Sequence, residues 1–201
     1  MRNDLQSEES EELIVLPSRL GWISLRMCGA AVRQLSFGHP SAAAAIRAIA
    51  PGKVAGHKMS KPQKKVVRRL QRYAEGLPAD FCDLSVDLGN VTEFQARVLK
   101  ACREIPCGQT LTYGELAAMA SAPGAARAVG NCMAGNRLPL IIPCHRVVKA
   151  GGDIGPYSAA GGSATKRRLL KMEANCWQLV SKPKSRRRKK AAKPVFETSP
   201  R

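Results

Sequence analysis

A cysteine beside a histidine and an arginine, Pro143-Cys144-His145-Arg146, ends the apolar run Leu138 to Ile142. The thiolate is the nucleophilic form of cysteine, and nearby cations or a basic imidazole favour it, so Cys144 is a candidate activated thiol. Side chains adjacent in sequence need not touch, however, and the same residues fit an ordinary packed cysteine. Other groups able to do chemistry make weaker patterns. His39 and His57 could join Cys28 and Cys82 around a metal, but their spacing follows no ligand motif. Cys102 and Cys107 have no second matching cluster, and none of the seven cysteines forms a C-x-x-C pair. Gly151, Gly152, Gly155, Gly161 and Gly162 read as a mobile loop rather than a phosphate cradle, because no G-K-[ST] follows them.

The elements that must carry Cys144 are legible upstream of it. Leu138 to Ile142 reads as a short buried strand. Ala125 to Ala134 reads as a helix built mostly of small residues, able to approach a partner closely. Before it, Thr112-Tyr-Gly-Glu115 is a capping box opening a helix through Ala120, and Ser121-Ala-Pro-Gly124 breaks it. Thr92-Glu-Phe-Gln95 is another, opening a helix through about Glu104 that Pro106-Cys-Gly108 ends. Three short helices with tight breaks look like a helix-turn-helix core, although without the chain's basic charge an ordinary helical bundle would be the preferred reading.

The region 13–88 predicts a small α+β domain without visible chemistry. Ile23, Leu25 and Met27 alternate with Ser24 and Arg26, Leu35 and Phe37 flank Ser36, and Gly29 between them suggests a hairpin. Helices are expected from Ser41 or Ala42 to Ala50, closed by Pro51-Gly52, and from Pro62 to about Glu75. Leu84, Val86 and Leu88 alternate as one more strand.

Charge points to a partner. The 201 residues include 33 Lys and Arg against 15 Asp and Glu, a net charge of +18. Residues 1–12 hold one Arg against five acids, and residues 181–201 hold nine basic residues against Glu197; both ends read as disordered. The body between them is therefore basic too, which favours a polyanion such as nucleic acid over a merely solubilising surface. The start lacks the basic and apolar regions of a signal peptide and no apolar run would span a membrane, so reduced thiols inside the cell are expected.

Ile142-Pro-Cys-His-Arg-Val147 resembles the active-site signature of the O6-alkylguanine-DNA alkyltransferases, also called methylated-DNA–protein-cysteine methyltransferases. Thr92 to Gln95, Ile105-Pro-Cys-Gly-Gln-Thr-Leu-Thr-Tyr-Gly-Glu-Leu-Ala-Ala118, Ala126-Arg-Ala-Val-Gly130, Gly135-Asn136, Tyr157-Ser158 and Lys166 to Glu173 are similar to further segments of that family, in the same order. The likeness covers about residues 90–175 strongly. It implies an α+β protein: a disordered acidic segment 1–12, an N-terminal antiparallel-sheet domain 13–88, a winged helix-turn-helix domain 89–178 carrying the active-site cysteine, and a disordered basic tail 179–201.

The resemblance also implies roles. Cys144 would be the alkyl acceptor, His145 the base acting on it through a water, and Glu173 the group orienting that imidazole. Asn136 would stiffen the hinge between recognition helix and active site, and Tyr113 would give a proton to the departing guanine. Ser158 would bond near the guanine O6, the carbonyls of Cys144 and Val147 would accept from its amino group, and Met133 and Tyr157 would line the pocket, with Lys166 among the substrate-binding residues. Arg127 would fill the gap left by a base rotated out of the stack. Ala125, Ala126 and Ala128 would let the helix into the minor groove, and Thr92 would join the DNA contacts. The implied reaction is an irreversible, single-turnover transfer from O6-alkylguanine, needing no cofactor and no metal; the resemblance leaves open whether O4-alkylthymine is also accepted. The implied protein is a monomer acting on double-stranded DNA in the cytoplasm, or on the nucleoid if bacterial, away from membranes.

The sequence departs from the family pattern after Tyr157-Ser158, where Ala159-Ala-Gly-Gly-Ser163 replaces two glycines and an apolar residue, with about two extra residues before Glu173. Ala159, Ala160 and Pro156 would stiffen the loop over the base, and Ala134 stands where a basic residue is common. Two other readings stay open: a lesion sensor that flips damaged bases without transfer, although such relatives lack the acceptor cysteine, and a helix-turn-helix regulator, although no sensor region or dimer helix is visible.

Overall fold

The computed structural model describes residues 11–49, 53–54 and 59–181. The expected disorder of residues 1–10 and 182–201, the helix stop at Pro51-Gly52, and the metal candidate His57 fall outside those residues. Strands β1 (Glu11–Leu16), β2 (Trp22–Cys28) and β3 (Ala31–His39) form an antiparallel sheet, and β4 (Lys53–Val54) adds a short parallel pairing at its edge. The β2–β3 hairpin closes at Cys28–Ala31, with Gly29 in the left-handed region (φ 54°) that such a tight turn demands. Glu11 and Glu12 belong to β1, not to an acidic terminus. Their charge is tolerated there because Glu11 pairs across the sheet with Arg26 at 3.1 Å and also with Arg33.

Helix α1 (Ala42–Arg47) is capped by Ser41 and is shorter than expected. Helix α2 (Lys61–Ala74) begins in a Ser60/Gln63 capping box with Pro62 in its first turn, and it buries Val66, Val67, Leu70 and Tyr73 while its lysines and arginines mostly face solvent. The strand expected at Leu84–Leu88 is instead a single bridge, Val86 to Val32. The segment cannot extend, because Phe81–Leu84 is a turn whose carbonyls at 81 and 84 both accept from the Arg103 guanidinium.

The C-terminal half contains α3 (Glu93–Arg103), β5 (Leu111–Thr112), α4 (Tyr113–Met119), α5 (Ala126–Ala134), a 3-10 turn (Cys144–Arg146), β6 (Val147–Val148) and α6 (Gly162–Ser181). Both expected capping boxes are present, on α3 and α4. Strands β5 and β6 pair in parallel and tie the start of α4 to the residues just after Cys144. Leu138–Ile142 is fully buried as expected but is not a strand. Pro139 lacks an N–H, Leu140 is left-handed (φ 72°), and Ile142 N–H closes a turn on the Leu138 carbonyl at 2.8 Å. Helix α6 runs past the boundary expected at 178, to Ser181. One continuous core joins the two halves, from Ile23 and Leu25 through Leu70 to Leu116, Val129 and Leu169.

Candidate active site

The buried turn after Leu138 aims Cys144 at the base of a pocket of about 170 Å³, lined by Tyr113, Gly130, Met133, Ala134, Pro156, Tyr157 and Ser158. Five expected residues, Cys144, Tyr113, Met133, Tyr157 and Ser158, thus converge from α4, α5, the turn and the loop after β6. Asn136 sits beside them. Its Nδ2 donates to the Cys144 Sγ at 3.1 Å and to the Ile142 carbonyl at 2.8 Å, while its Oδ1 accepts from Leu138 N–H at 3.0 Å. The hinge role expected of Asn136 is therefore joined by a direct contact with the thiol.

Behind the thiol lies a buried charged cluster. His145 Nε2 is 2.8 Å from Glu173 Oε1, and an ionised carboxylate can only accept, so Nε2 carries the proton. Nδ1 is then the basic nitrogen; it is buried and has no hydrogen-bond partner among the described residues. Arg146 grips the same carboxylate twice, Nε to Oε2 and one terminal nitrogen to Oε1, both at 2.9 Å, and its other terminal nitrogen donates to the Ile105 carbonyl at 2.6 Å. Burial alone would raise the Glu173 carboxyl, but the His145 and Arg146 contacts outweigh it and hold the group well below its ordinary value. Burial keeps the imidazole below its ordinary value against the pull of Glu173, with Arg146 and Lys166 adding to the downward push.

The cation that acts on the thiol is not the neighbouring Arg146, which is committed to Glu173. It is Lys166, itself fully buried, whose ammonium donates to the carbonyls of Val147 (2.6 Å) and Pro156 (3.3 Å) and lies 5.8 Å from the Tyr113 ring centre. Burial raises the Cys144 thiol above its ordinary value, and Asn136, Lys166 and the Tyr157 hydroxyl oppose that rise. The resting thiol is consequently neutral at physiological pH, and the His145 imidazole is held neutral as well. Val147 is buried beside Lys166 and is not a pocket wall, so its carbonyl already has one donor. The Tyr113 hydroxyl has no hydrogen-bond partner among the described residues, and burial raises it above its ordinary value.

The expected nucleic-acid contacts lie along one side. Helix α5 exposes Arg127, Ala128, Asn131 and Ala134, with Ala125 and Ala126 half-buried at its start, and Ala134 also lines the pocket. The exposed face of the helix thus leads into the pocket mouth. Thr92 stands apart at the start of α3, where its hydroxyl caps Gln95 N–H at 3.2 Å. No group of three or more His, Cys, Asp or Glu among the described residues is placed to hold a metal. His39 instead contacts Ser36 Oγ at 2.7 Å.

Sequence reasoning missed Tyr73. The N-terminal half, expected to carry no chemistry, sends this residue into the cluster: its hydroxyl is 2.6 Å from Glu173 Oε1 and 3.2 Å from His145 Nε2. The available signal was a tyrosine on the apolar face of α2, since a buried phenol needs a polar partner.

Residues 93–175 match the DNA-binding domain of 6-O-methylguanine DNA methyltransferases. A methylated-DNA–protein-cysteine methyltransferase of Methanothermobacter thermautotrophicus is 45% identical over 111 residues, 55% of this chain and 60% of that protein. One from Mycobacterium tuberculosis is 46% identical over 107 residues, 53% and 62% of the respective chains. The match therefore spans about three-fifths of the length of these relatives. Among solved structures, Mycobacterium tuberculosis OGT in complex with DNA is 31% identical with a TM-score of 0.64, over 82% of this chain and 94% of that one. The O6-methylguanine-DNA methyltransferase of Pyrococcus kodakaraensis is 25% identical with a TM-score of 0.61, over 81% and 98%.

Proposed function

The chain belongs to the 6-O-methylguanine DNA methyltransferase family, and from that premise we propose that it repairs DNA by moving an alkyl group from O6 of guanine onto its own Cys144. The observation that carries the reading is a buried thiol at the base of a pocket, contacted by Asn136 and backed by a neutral imidazole on an ionised carboxylate. As the lesion enters, the Cys144 proton passes to His145 Nδ1, by way of a water. The thiolate attacks the alkyl carbon in line with the O6–carbon bond, forming S–C as O–C breaks, and Tyr113 protonates the departing guanine. Lys166 and Asn136 stabilise the thiolate, and Glu173 stabilises the imidazolium.

A stacked duplex blocks the in-line approach, so the base must leave the helix, at a cost of a few kcal/mol. Arg127, exposed on the small-residue face of α5, would enter the gap and offset part of that cost. The thioether has no return path, so each molecule acts once; we take it to act as a monomer. Double-stranded DNA carrying O6-alkylguanine is the partner, and no cofactor enters the reaction.

The test is incubation with duplex DNA bearing one labelled O6-methylguanine, followed by peptide mass analysis. One methyl per molecule on Cys144 is expected. Tight lesion binding by reduced protein without transfer would instead favour a sensor, and would direct attention to Ala159–Ser163.

A further inference from the structure

We propose that Tyr73 is a positioning residue for the chemistry at Cys144: its hydroxyl holds Glu173 ionised and keeps the His145 imidazole neutral, with Nδ1 bare. The proposal deepens the alkyl-transfer reading and rests on it for its functional meaning, although the imidazole's state can be tested without any transfer.

Three donors converge on Glu173 Oε1: Tyr73 at 2.6 Å, His145 Nε2 at 2.8 Å and Arg146 at 2.9 Å. Oε2 takes Arg146 Nε at 2.9 Å and the Gly108 N–H at 3.3 Å. A protonated carboxyl could not accept all of these, so the ring of donors requires the ionised form. Tyr73 is only 2% exposed, and burial together with the Glu173 charge keeps its phenol protonated well beyond any working pH. It therefore always donates to the carboxylate, and its oxygen can share the Nε2 proton only as a second acceptor at 3.2 Å.

Each donor to Oε1 draws charge from the carboxylate and weakens its hold on an imidazolium. The groups facing His145 come from several elements: Glu173 and Lys166 from α6, Tyr73 from α2, Tyr157 from the loop with its ring 6.5 Å away, and Cys144 and Arg146 from its own turn; Cys107 lies beyond Glu173. Of these, Glu173 favours the charged imidazole, and Arg146 and Lys166 oppose it. Tyr73 tips that balance by weakening Glu173. A base that must receive the thiol proton has to be empty beforehand, and Tyr73 reinforces what burial, Arg146 and Lys166 already do to keep it so.

The residue is also firmly placed. Its ring packs edge-on to Phe81 at 5.8 Å, and the Phe81 carbonyl is held by Arg103 of α3 at 2.7 Å. On the other side of the interface, Leu35 N–H of β3 donates to the Arg137 carbonyl, next to Asn136, at 2.9 Å. The N-terminal half thus grips the site at both the hinge and the charged cluster.

The test is a nitrogen-15 titration of the imidazoles in the full-length protein and in Tyr73→Phe, with His39 and His57 as internal controls, beside the pH profile of single-turnover transfer. In the parent, His145 should be the Nε2–H tautomer and stay neutral below its ordinary range. In Tyr73→Phe its protonation should move up by about one pH unit, and the acid limb of the rate profile should move with it. An unmoved titration, a uniform rate loss with an unmoved profile, or an Nδ1–H parent tautomer would each overturn the proposal. Should the phenylalanine variant fail to fold, 3-fluorotyrosine placed at position 73 donates more strongly, so the titration should move down; an upward move would refute the mechanism. A parent that transfers nothing would sink the alkyl-transfer reading, while the titration would still decide the role of Tyr73.

Discussion

Replacing Glu173 with glutamine tests the charged cluster directly. The side chain is 1% exposed and accepts five hydrogen bonds, from Tyr73, His145, Gly108 and twice from Arg146. Glutamine matches its size but brings one acceptor oxygen and an NH2 that must face donors, and it leaves the buried Arg146 guanidinium without a counter-charge. Removing one partner of such a buried pair costs about 3–5 kcal/mol, which for a chain of this length lowers the melting temperature by roughly 10 °C. The pH dependence carries a sign. Glu173 titrates lower in the folded than in the unfolded protein, so its contribution is complete above the ordinary carboxylate range and drains away as pH falls below about 4.5. Urea melts of parent and Glu173→Gln from pH 7 to 3 should therefore converge towards acid. A loss under about 1 kcal/mol at pH 7, or a gap that stays constant with pH, would refute the assignment of Glu173 as the ionised hub.

Asn136→Ala removes the bonds to the Cys144 sulfur, the Ile142 carbonyl and Leu138 N–H; an iodoacetamide titration should find the Cys144 thiol higher than in the parent, and transfer should slow at least about tenfold. Arg127→Ala should slow transfer from duplex DNA while leaving transfer from a free O6-alkylguanine base nearly unchanged, because only the duplex must be opened; equal losses on both substrates would remove Arg127 from the base-flipping role. Trimming residues 181–201, which hold nine basic residues against one acid, should flatten the salt dependence of DNA binding with transfer chemistry intact, and unchanged slopes would exclude the tail as a phosphate contact.

What could be read from the sequence was local. Capping boxes at Thr92 and Thr112 are written within four residues each, and both helices start there. The period-two pattern of Ile23, Leu25 and Met27 likewise needs only its own strand to declare a buried face. Leu138–Ile142 misled because a run of buried apolar residues does not distinguish a strand from a packed turn, and Pro139 was the overlooked warning. Arg146 misled differently: adjacency suggested that it served the thiol, whereas its side chain spans to Glu173, 27 residues away in sequence. Tyr73 lies 100 residues from Glu173, and no local pattern records a contact across that distance.

The arrangement also explains why a reactive cysteine should be so deeply buried. Burial raises the Cys144 thiol, which on its own makes it a poor nucleophile, and the cation that opposes that rise, Lys166, is already bonded to two carbonyls. If the thiol is spent once, as proposed, reacting with any passing electrophile would be a loss, so latency is useful provided it can be lifted at the right moment. The means are present in the site. The base is neutral with its lone pair free, its carboxylate partner is ionised and five-fold bonded, and Asn136 already donates to the sulfur, so the charge separation of proton transfer meets groups that need not reorganise. On the proposed reading, a flipped alkylguanine would fill the pocket between α5 and the Tyr157–Ser158 loop and shut solvent out of it. Reactivity towards small electrophiles should therefore stay low across neutral pH, while transfer from a docked lesion is expected to be fast. A Cys144 that reacted as readily with iodoacetamide as a free cysteine does would mean that burial is not what keeps the thiol latent.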